Sequence, residues 1–304
     1  MEKVLITGAN GYIGSNLVKL LEKQGDFELH LASRAKIEGQ HSSYAFDITN
    51  HSRLEAVVGE IRPSLVIHLA AIGINRAKND APESLLDVNF RSTFSLARMC
   101  KGLPDFRKFI YLTTYMECSG SEKPITPDSP LCPQSHYGLS KSLSTSALNY
   151  MSRSGELNAN VLRVFSAYGM DELKGGYLFV PLIFDALINN KVIETTSLRQ
   201  KRDFVYIKDV VDAILHSMKK ERTEGAIFNV GSGKPVALAE VASKIMKLYP
   251  DSKGRIDIGK KPERPGEAPE YFADISKTRD EFGWQPKYTL DEGLKETFDF
   301  YNSQ

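Results

Sequence analysis

The chain has 304 residues and a net charge of +1, with 41% hydrophobic and 25% charged residues, ordinary values for a globular protein large enough to bury a core. So even a charge balance gives no electrostatic case for nucleic acid or an anionic membrane surface, and leaves only local patches for small anions. Three cysteines, Cys100, Cys118 and Cys132, odd in number and without metal-type spacing, predict reduced thiols in a cytoplasmic setting. The first apolar run starts too close to Met1 for a signal peptide, and no run reaches membrane-spanning length.

Val4-Leu5-Ile6-Thr7-Gly8-Ala9-Asn10-Gly11-Tyr12-Ile13-Gly14 predicts a strand, a tight turn and a helix start. Gly8 suits the turn, Gly11 clears space for a phosphate, and Gly14 permits close packing of the helix. The helix N-terminus offers unpaired N–H groups and a positive dipole end to a pyrophosphate. Thr7, Tyr12 and Ile13 share that site, and Ile13, Leu17, Leu20 and Leu21 supply the helical stripe that the motif requires.

A second strand, Phe27 to Ala32, ends at Ser33-Arg34, where an acidic residue would bind the ribose 2′-OH of NAD. A hydroxyl and a guanidinium suit a 2′-phosphate instead, so the reading is NADP(H), with NAD(H) the alternative. Tyr44 to Ile48 predicts a third strand that brings Asp47 and Ile48 to the adenine; Asp47 is either an acceptor for the adenine amino group or a helix N-cap. Leu65 to Ala71 reads as a strand buried on both faces, with Leu69, Ala70 and Ala71 against the cofactor and His68 a packed core residue. A helix over Glu83 to Met99 carries Asn89, either a buried brace or an exposed residue.

Phe109 to Leu112 predicts a fifth strand that ends in Thr113-Thr114, hydroxyls at the crevice where open α/β sheets bind ligands. Tyr137 and Lys141, four apart, share a helix face. A phenol with an ordinary pKa near ~10 needs a nearby cation to exchange protons around neutrality. Lys141 supplies that charge, and Thr114 can bond the oxygen that the phenol serves.

Together the glycine turn, the Tyr137-Gly138-Leu139-Ser140-Lys141 run and the hydroxyl strand end resemble an extended short-chain dehydrogenase/reductase of the nucleotide-sugar epimerase/dehydratase/reductase group. Further stretches agree in order: Arg163 to Gly169, Lys201 to Val210, Asn229 to Gly233, Arg264 to Glu267 and Phe282 to Pro286. The resemblance implies an α/β fold, a Rossmann-type doubly wound parallel sheet with a smaller, discontinuous C-terminal α/β part. It places the cofactor on residues 1–165 plus about 204–229 and a nucleotide sugar on 166–203 plus about 230–304. Thr114, Tyr137 and Lys141 are then catalytic, with Asn89, Thr113, Tyr137, Lys141 and Phe165 also touching cofactor. Ser166, Arg202 and Arg264 touch substrate, the two arginines at the diphosphate. A homodimer built on helices around 85–100 and 137–153 is implied as well.

Departures from the family patterns narrow the chemistry. The 4,6-dehydratases follow the strand-end threonine with an Asp-Glu pair that acts as acid and base, and this chain has Tyr115-Met116. Enzymes resembling GDP-fucose synthase place a cysteine where Met116 stands, and many relatives place a tyrosine where Cys118 stands. What remains is hydride transfer: an NADPH-dependent 4-ketoreductase of a dTDP-, CDP- or GDP-linked 4-keto-6-deoxyhexose, or an NAD-dependent 4-epimerase. A dinucleotide-binding redox sensor is a third reading, one that the Thr114, Tyr137 and Lys141 set argues against.

Overall fold

A computed structural model describes residues 1–73, 81–170, 178–223, 226–263 and 266–303. Seven parallel strands form the main sheet: β1 (Glu2–Thr7), β2 (Phe27–Ser33), β3 (Ser42–Ala45), β4 (Leu65–His68), β5 (Lys108–Thr114), β6 (Ala159–Val164) and β10 (Ile227–Val230), in the order β10-β6-β5-β4-β1-β2-β3. The order reverses at β1, between β2 and β4, the switch point at which doubly wound sheets bind ligands beyond their C-terminal ends. Successive side chains of a strand face opposite sides, so Val4 and Ile6 join one core and Leu5 the other, all three fully buried. That two-sided burial is why the run is uninterrupted in hydrophobicity.

One face is covered by α1 (Tyr12–Gln24) and α7 (Ile207–Lys219), the other by α2 (His51–Ile61), α4 (Ser92–Lys101) and α5 (His136–Arg153). A short α3 (Pro82–Leu85) runs into α4 through a π-helical stretch, Leu86–Arg91. The two apolar stripes read in the C-terminal half are helices α6 (Phe179–Ile188) and α8 (Leu238–Leu248). They belong with a second sheet of β7 (Ser166–Tyr168), β9 (Lys201–Tyr206), β11 (Pro235–Ala237) and β13 (Glu270–Tyr271), and a two-stranded ladder of β8 (Val192–Glu194) with β12 (Arg255–Asp257). Helices α9 (Ser276–Phe282) and α10 (Leu290–Asn302) complete the described residues.

Asp203, fully buried on β9, ties the second sheet to the end of β10: its carboxylate accepts the Ser232 N–H and hydroxyl, the Gly233 N–H and the Ala273 N–H at 2.6–3.0 Å. A Cβ on Gly231 would lie 2.6 Å from that carboxylate. The glycine is there because the carboxylate is.

Two strands are shorter than their apolar runs predict. β3 stops at Ala45, because the Asp47 carboxylate accepts both the N–H and the hydroxyl of Thr49 and turns the chain out of the ladder. The N-cap of α2 is accordingly Asn50, which accepts the Arg53 N–H, and the N-cap reading of Asp47 is corrected. β4 stops at His68, since the chain beyond it bends over the glycine turn. Among the described residues no helix is long and apolar enough to cross a membrane, and all three cysteines are free.

Candidate active site

The cofactor cradle follows from three glycines. Gly8 has φ +70°, the left-handed region that disfavours side chains, and a Cβ there would meet the Ala70 nitrogen at 2.6 Å. A Cβ on Gly14 would meet the Gly8 carbonyl oxygen at 2.3 Å. The third glycine therefore packs on the turn itself. Helix α1 starts at Gly11 with no side-chain cap, so its first N–H groups point toward the 460 Å³ cavity that Gly8, Asn10 and Gly11 line. An uncapped helix end with no room for a Cβ fits a dinucleotide pyrophosphate.

Thr7, Ser33, Arg34, Asp47, Ile48, Leu69, Ala70 and Ala71 line the same cavity. The Thr7 hydroxyl is committed beneath the turn, 2.6 Å from His68 Nδ1 and accepting from the Ala70 N–H at 3.3 Å. His68 is buried between Thr7 and Thr93, and burial takes its imidazole down to about 3, so it is a neutral core residue as the sequence reading has it. The Ser33 hydroxyl donates to the Ala35 carbonyl, which leaves Arg34, exposed at the strand end, as the member of that pair with no hydrogen bond among the described residues. The Asp47 carboxyl is held low by its two Thr49 bonds and, more weakly, by the Arg34 charge. Asn89 is a buried brace: its amide bonds the Ile72 N–H and C=O and the Ser140 hydroxyl.

A second cavity, of 670 Å³, is lined by Tyr12, Ile13, Thr113, Thr114, Tyr137, Phe165, Ser166 and Arg202, among others. Ser135 caps α5 by accepting the Gly138 N–H. A Cβ on Gly138 would sit 2.4 Å from the Met116 carbonyl oxygen, so the residue after Tyr137 must be glycine for the helix start to lie against the turn that follows β5. That approach brings Tyr137 within hydrogen-bond reach of the Thr114 hydroxyl.

The ionisation differs from the sequence expectation. Burial holds the Tyr137 phenol above its ordinary value, Tyr115 adds to the rise and Thr114 opposes it. The Lys141 ammonium lies under the cavity wall, bonded to the Leu112 carbonyl at 2.6 Å and 4.2 Å over the Tyr111 ring. Burial takes Lys141 down to about 7, and the charge of Glu117 opposes that fall. The lysine is thus close to losing its proton, and the phenol keeps its own.

Arg202 reaches the second cavity with its guanidinium already engaged. It donates to Glu267 at 2.8 Å and to the carbonyls of Lys201, Ala268 and Pro269, and lies 5.1 Å from the Tyr271 ring centre. Arg264 lies outside the described residues. Sequence reasoning missed Glu267 and also Glu117, which is fully buried against Arg163. The available signal was a lone carboxylate in Tyr115-Met116-Glu117-Cys118 opposite the one charged residue, Arg163, of strand β6.

Residues 4–231 match the NAD dependent epimerase/dehydratase family. A UDP-glucose 4-epimerase of Mycolicibacterium smegmatis is 28% identical over 323 residues, 99% of each chain. A dTDP-4-dehydro-6-deoxyglucose reductase of Escherichia coli is 27% identical over 308 residues, covering 96% of this chain and 95% of its own. The fold superposes with a TM-score of 0.90 on UDP-glucose 4-epimerase of Thermotoga maritima, solved with UDP-glucose, at 24% identity over 99% of both chains. The relatives' names differ in reaction, yet each match runs the length of the chain. With the glycine cradle and the Thr114–Tyr137–Lys141 set in place, the chain belongs to the NAD-dependent epimerase/dehydratase family of extended short-chain dehydrogenases/reductases.

Proposed function

We propose that this chain is an NADPH-dependent reductase of the 4-keto group of a dTDP-, CDP- or GDP-linked 4-keto-6-deoxyhexose. The observation that carries the reading is Arg34, at the end of β2 on the wall of the cofactor cavity where NAD would call for an acidic residue, with Tyr137 and Thr114 together on the wall of the second cavity. A phenol held above its usual value is a proton donor at neutral pH, and ketone reduction needs a donor where the alkoxide forms. Oxidation of a hydroxyl, the first half of an epimerisation, needs a base there instead.

Bound at the glycine cradle, the dinucleotide supplies the hydride. Tyr137 donates the proton to the new alkoxide, and the Thr114 hydroxyl bonds the same oxygen as charge develops. Lys141 is read as holding the nicotinamide ribose, and Arg34 as the group that would hold a 2′-phosphate. Tyr115 and Met116 stand where the dehydratases carry their Asp-Glu carboxyl pair, which speaks against elimination of water. In this reading residues 1–165 and about 204–229 hold cofactor, and residues 166–203 and about 230–304 hold the nucleotide sugar. Arg202 meets the diphosphate once Glu267 yields it, and Arg264 is proposed to help.

The test is a matched titration with NADPH and NADH, followed by NADPH oxidation with a panel of 4-keto substrates. Preference for NADPH and turnover of one panel member is the expected result. Tight NAD(H) that survives purification, with interconversion of UDP-glucose and UDP-galactose and no net oxidation, would replace the reductase by an epimerase. That second reading has its own support in the Ser33 hydroxyl, which is turned to Ala35 and leaves Arg34 alone to select a 2′-phosphate.

A further inference from the structure

We propose that Glu117 is a positioning residue that clamps the two elements carrying Thr114, Tyr137 and Lys141, with Arg163 as its buried counter-charge. The proposal rests on the reading of that cluster as catalytic. One carboxylate oxygen of Glu117 accepts the Thr113 and Thr145 hydroxyls, each at 2.7 Å, and the other accepts Arg163 Nε at 2.6 Å. A carboxylate only accepts, so both hydroxyls must turn their protons to it. Thr113 is the residue before Thr114 on β5, and Thr145 lies four residues beyond Lys141 on the same face of α5. A single side chain thus fixes strand end and helix against each other.

The register explains how the pair comes to be buried. Thr113, Arg163 and Asn229 are adjacent across β5, β6 and β10, so their side chains form one polar row on the face that α5 covers. Arg163 Nη1 also donates to the Thr126 carbonyl at 2.9 Å and to Asn229 at 3.3 Å, while its Nη2 has no partner among the described residues. Both members of the ion pair are completely buried. Such a pair loses about as much in desolvation as it gains in attraction, and apolar replacement of both members is often neutral or stabilising. Stability alone therefore gives no reason for it.

Electrostatics agree with the geometry. The groups that face Lys141 are the Leu112 carbonyl and the Tyr111 ring from β5, His68 from β4, and Glu117. Burial pushes Lys141 toward the neutral amine and Glu117 pulls it back. Removing the carboxylate loosens the strand–helix clamp and takes away that pull.

The experiment replaces the pair together, Glu117→Val with Arg163→Met, so that no lone charge is left buried. The Lys141 ammonium is followed by NMR of labelled lysine side chains across pH 5–10, assigned with Lys141→Arg. This readout needs no substrate, so it stands even if the reductase assay fails for want of a 4-keto sugar. The double variant should fold, and its Lys141 midpoint should fall by about one pH unit, a tenfold change in the protonation equilibrium. With a substrate in hand, kcat should fall by ~10- to 100-fold while KM stays within about threefold, as expected when reacting groups are misplaced. Glu117→Asp should recover part of both. A folded double variant with an unchanged Lys141 midpoint would overturn the proposal. Should the double variant not fold, Glu117→Gln is read by the same criterion.

Discussion

Tyr137 and Gly138 sit side by side and contribute in opposite ways, one by what it carries and the other by what it lacks. Tyr137→Phe removes the proton donor and leaves the ring, so turnover should fall by about 10²- to 10⁴-fold with dinucleotide binding nearly unchanged, checked by paired kinetics and calorimetry. Retained turnover would remove Tyr137 from the chemistry. Gly138→Ala tests the neighbour. In an open helix alanine is favoured by up to ~1 kcal/mol, but here its Cβ would meet the Met116 carbonyl oxygen at 2.4 Å. Backbone cannot move aside as a flexible side chain can, and overpacking of this kind costs roughly 1–3 kcal/mol. The clash should win, giving a lower urea midpoint and a displaced Tyr137; a midpoint at or above wild type would mean that the helix start is free to shift. Neither the close approach at Gly138 nor the clamp at Glu117 could be read from the sequence. Gly138 meets Met116, and Glu117 meets Thr145 and Arg163, across 20 or more positions of sequence, whereas the Tyr137 and Lys141 spacing is local to one helix.

Helix α5 shows why element boundaries are harder to read than site residues. Its buried positions include Ser140, Ser142, Ser144 and Thr145, so the hydrophobic stripe that announces a buried helix is nearly absent. The serine hydroxyls are satisfied on backbone carbonyls, Ser140 on Tyr137, Ser142 on Leu139 and Ser144 on Asn89, and the Thr145 hydroxyl on the Glu117 carboxylate, which lets small polar residues replace apolar ones in close packing. β5 has the opposite disguise, since it begins with a charged residue, Lys108, that is fully buried. Its ammonium reaches the Ser217 carbonyl at 3.0 Å, one of the last carbonyls of α7 that the helix leaves unpaired. Burial, aided by Arg107 and Lys220, takes this lysine down to about 8 from its ordinary 10.5. A lysine lowered on folding burdens the folded state fully below about pH 8, and the burden fades as pH rises toward the unfolded value. Wild type should therefore gain stability relative to Lys108→Met between pH 8 and 10. Urea midpoints of both proteins at pH 7, 8.5 and 10 check this, and a constant gap would show that Lys108 titrates as if exposed.

At the scale of the molecule, the main sheet was legible because its strands are apolar runs cut by glycine, threonine and charged residues. The second sheet was not, since its strands are two to six residues long and lie as far apart in sequence as Ser166 and Tyr271; no periodic signal survives at that length. Its position is set by Asp203, whose four bonds reach residues 29 to 70 positions away. On the outer side of α4 and α5, Phe94, Leu139 and Tyr150 are 38%, 40% and 66% exposed. An apolar face of this kind is proposed to pair with its copy in a homodimer. Phe94→Glu with Leu139→Glu should give a monomer by light scattering; an unchanged mass would assign that face another role. The π-helical stretch before α4 holds one residue more than an α-helix needs for the same path. At 3.6 residues per turn, that residue rotates everything after it by about 100°. It lets one continuous rod aim Asn89 inward at the cavity wall and Phe94 outward at solvent. Deleting a residue there would heal the hydrogen bonding while spoiling the aim, so this turn sets the phase between the chemistry and the surface through which two copies would meet.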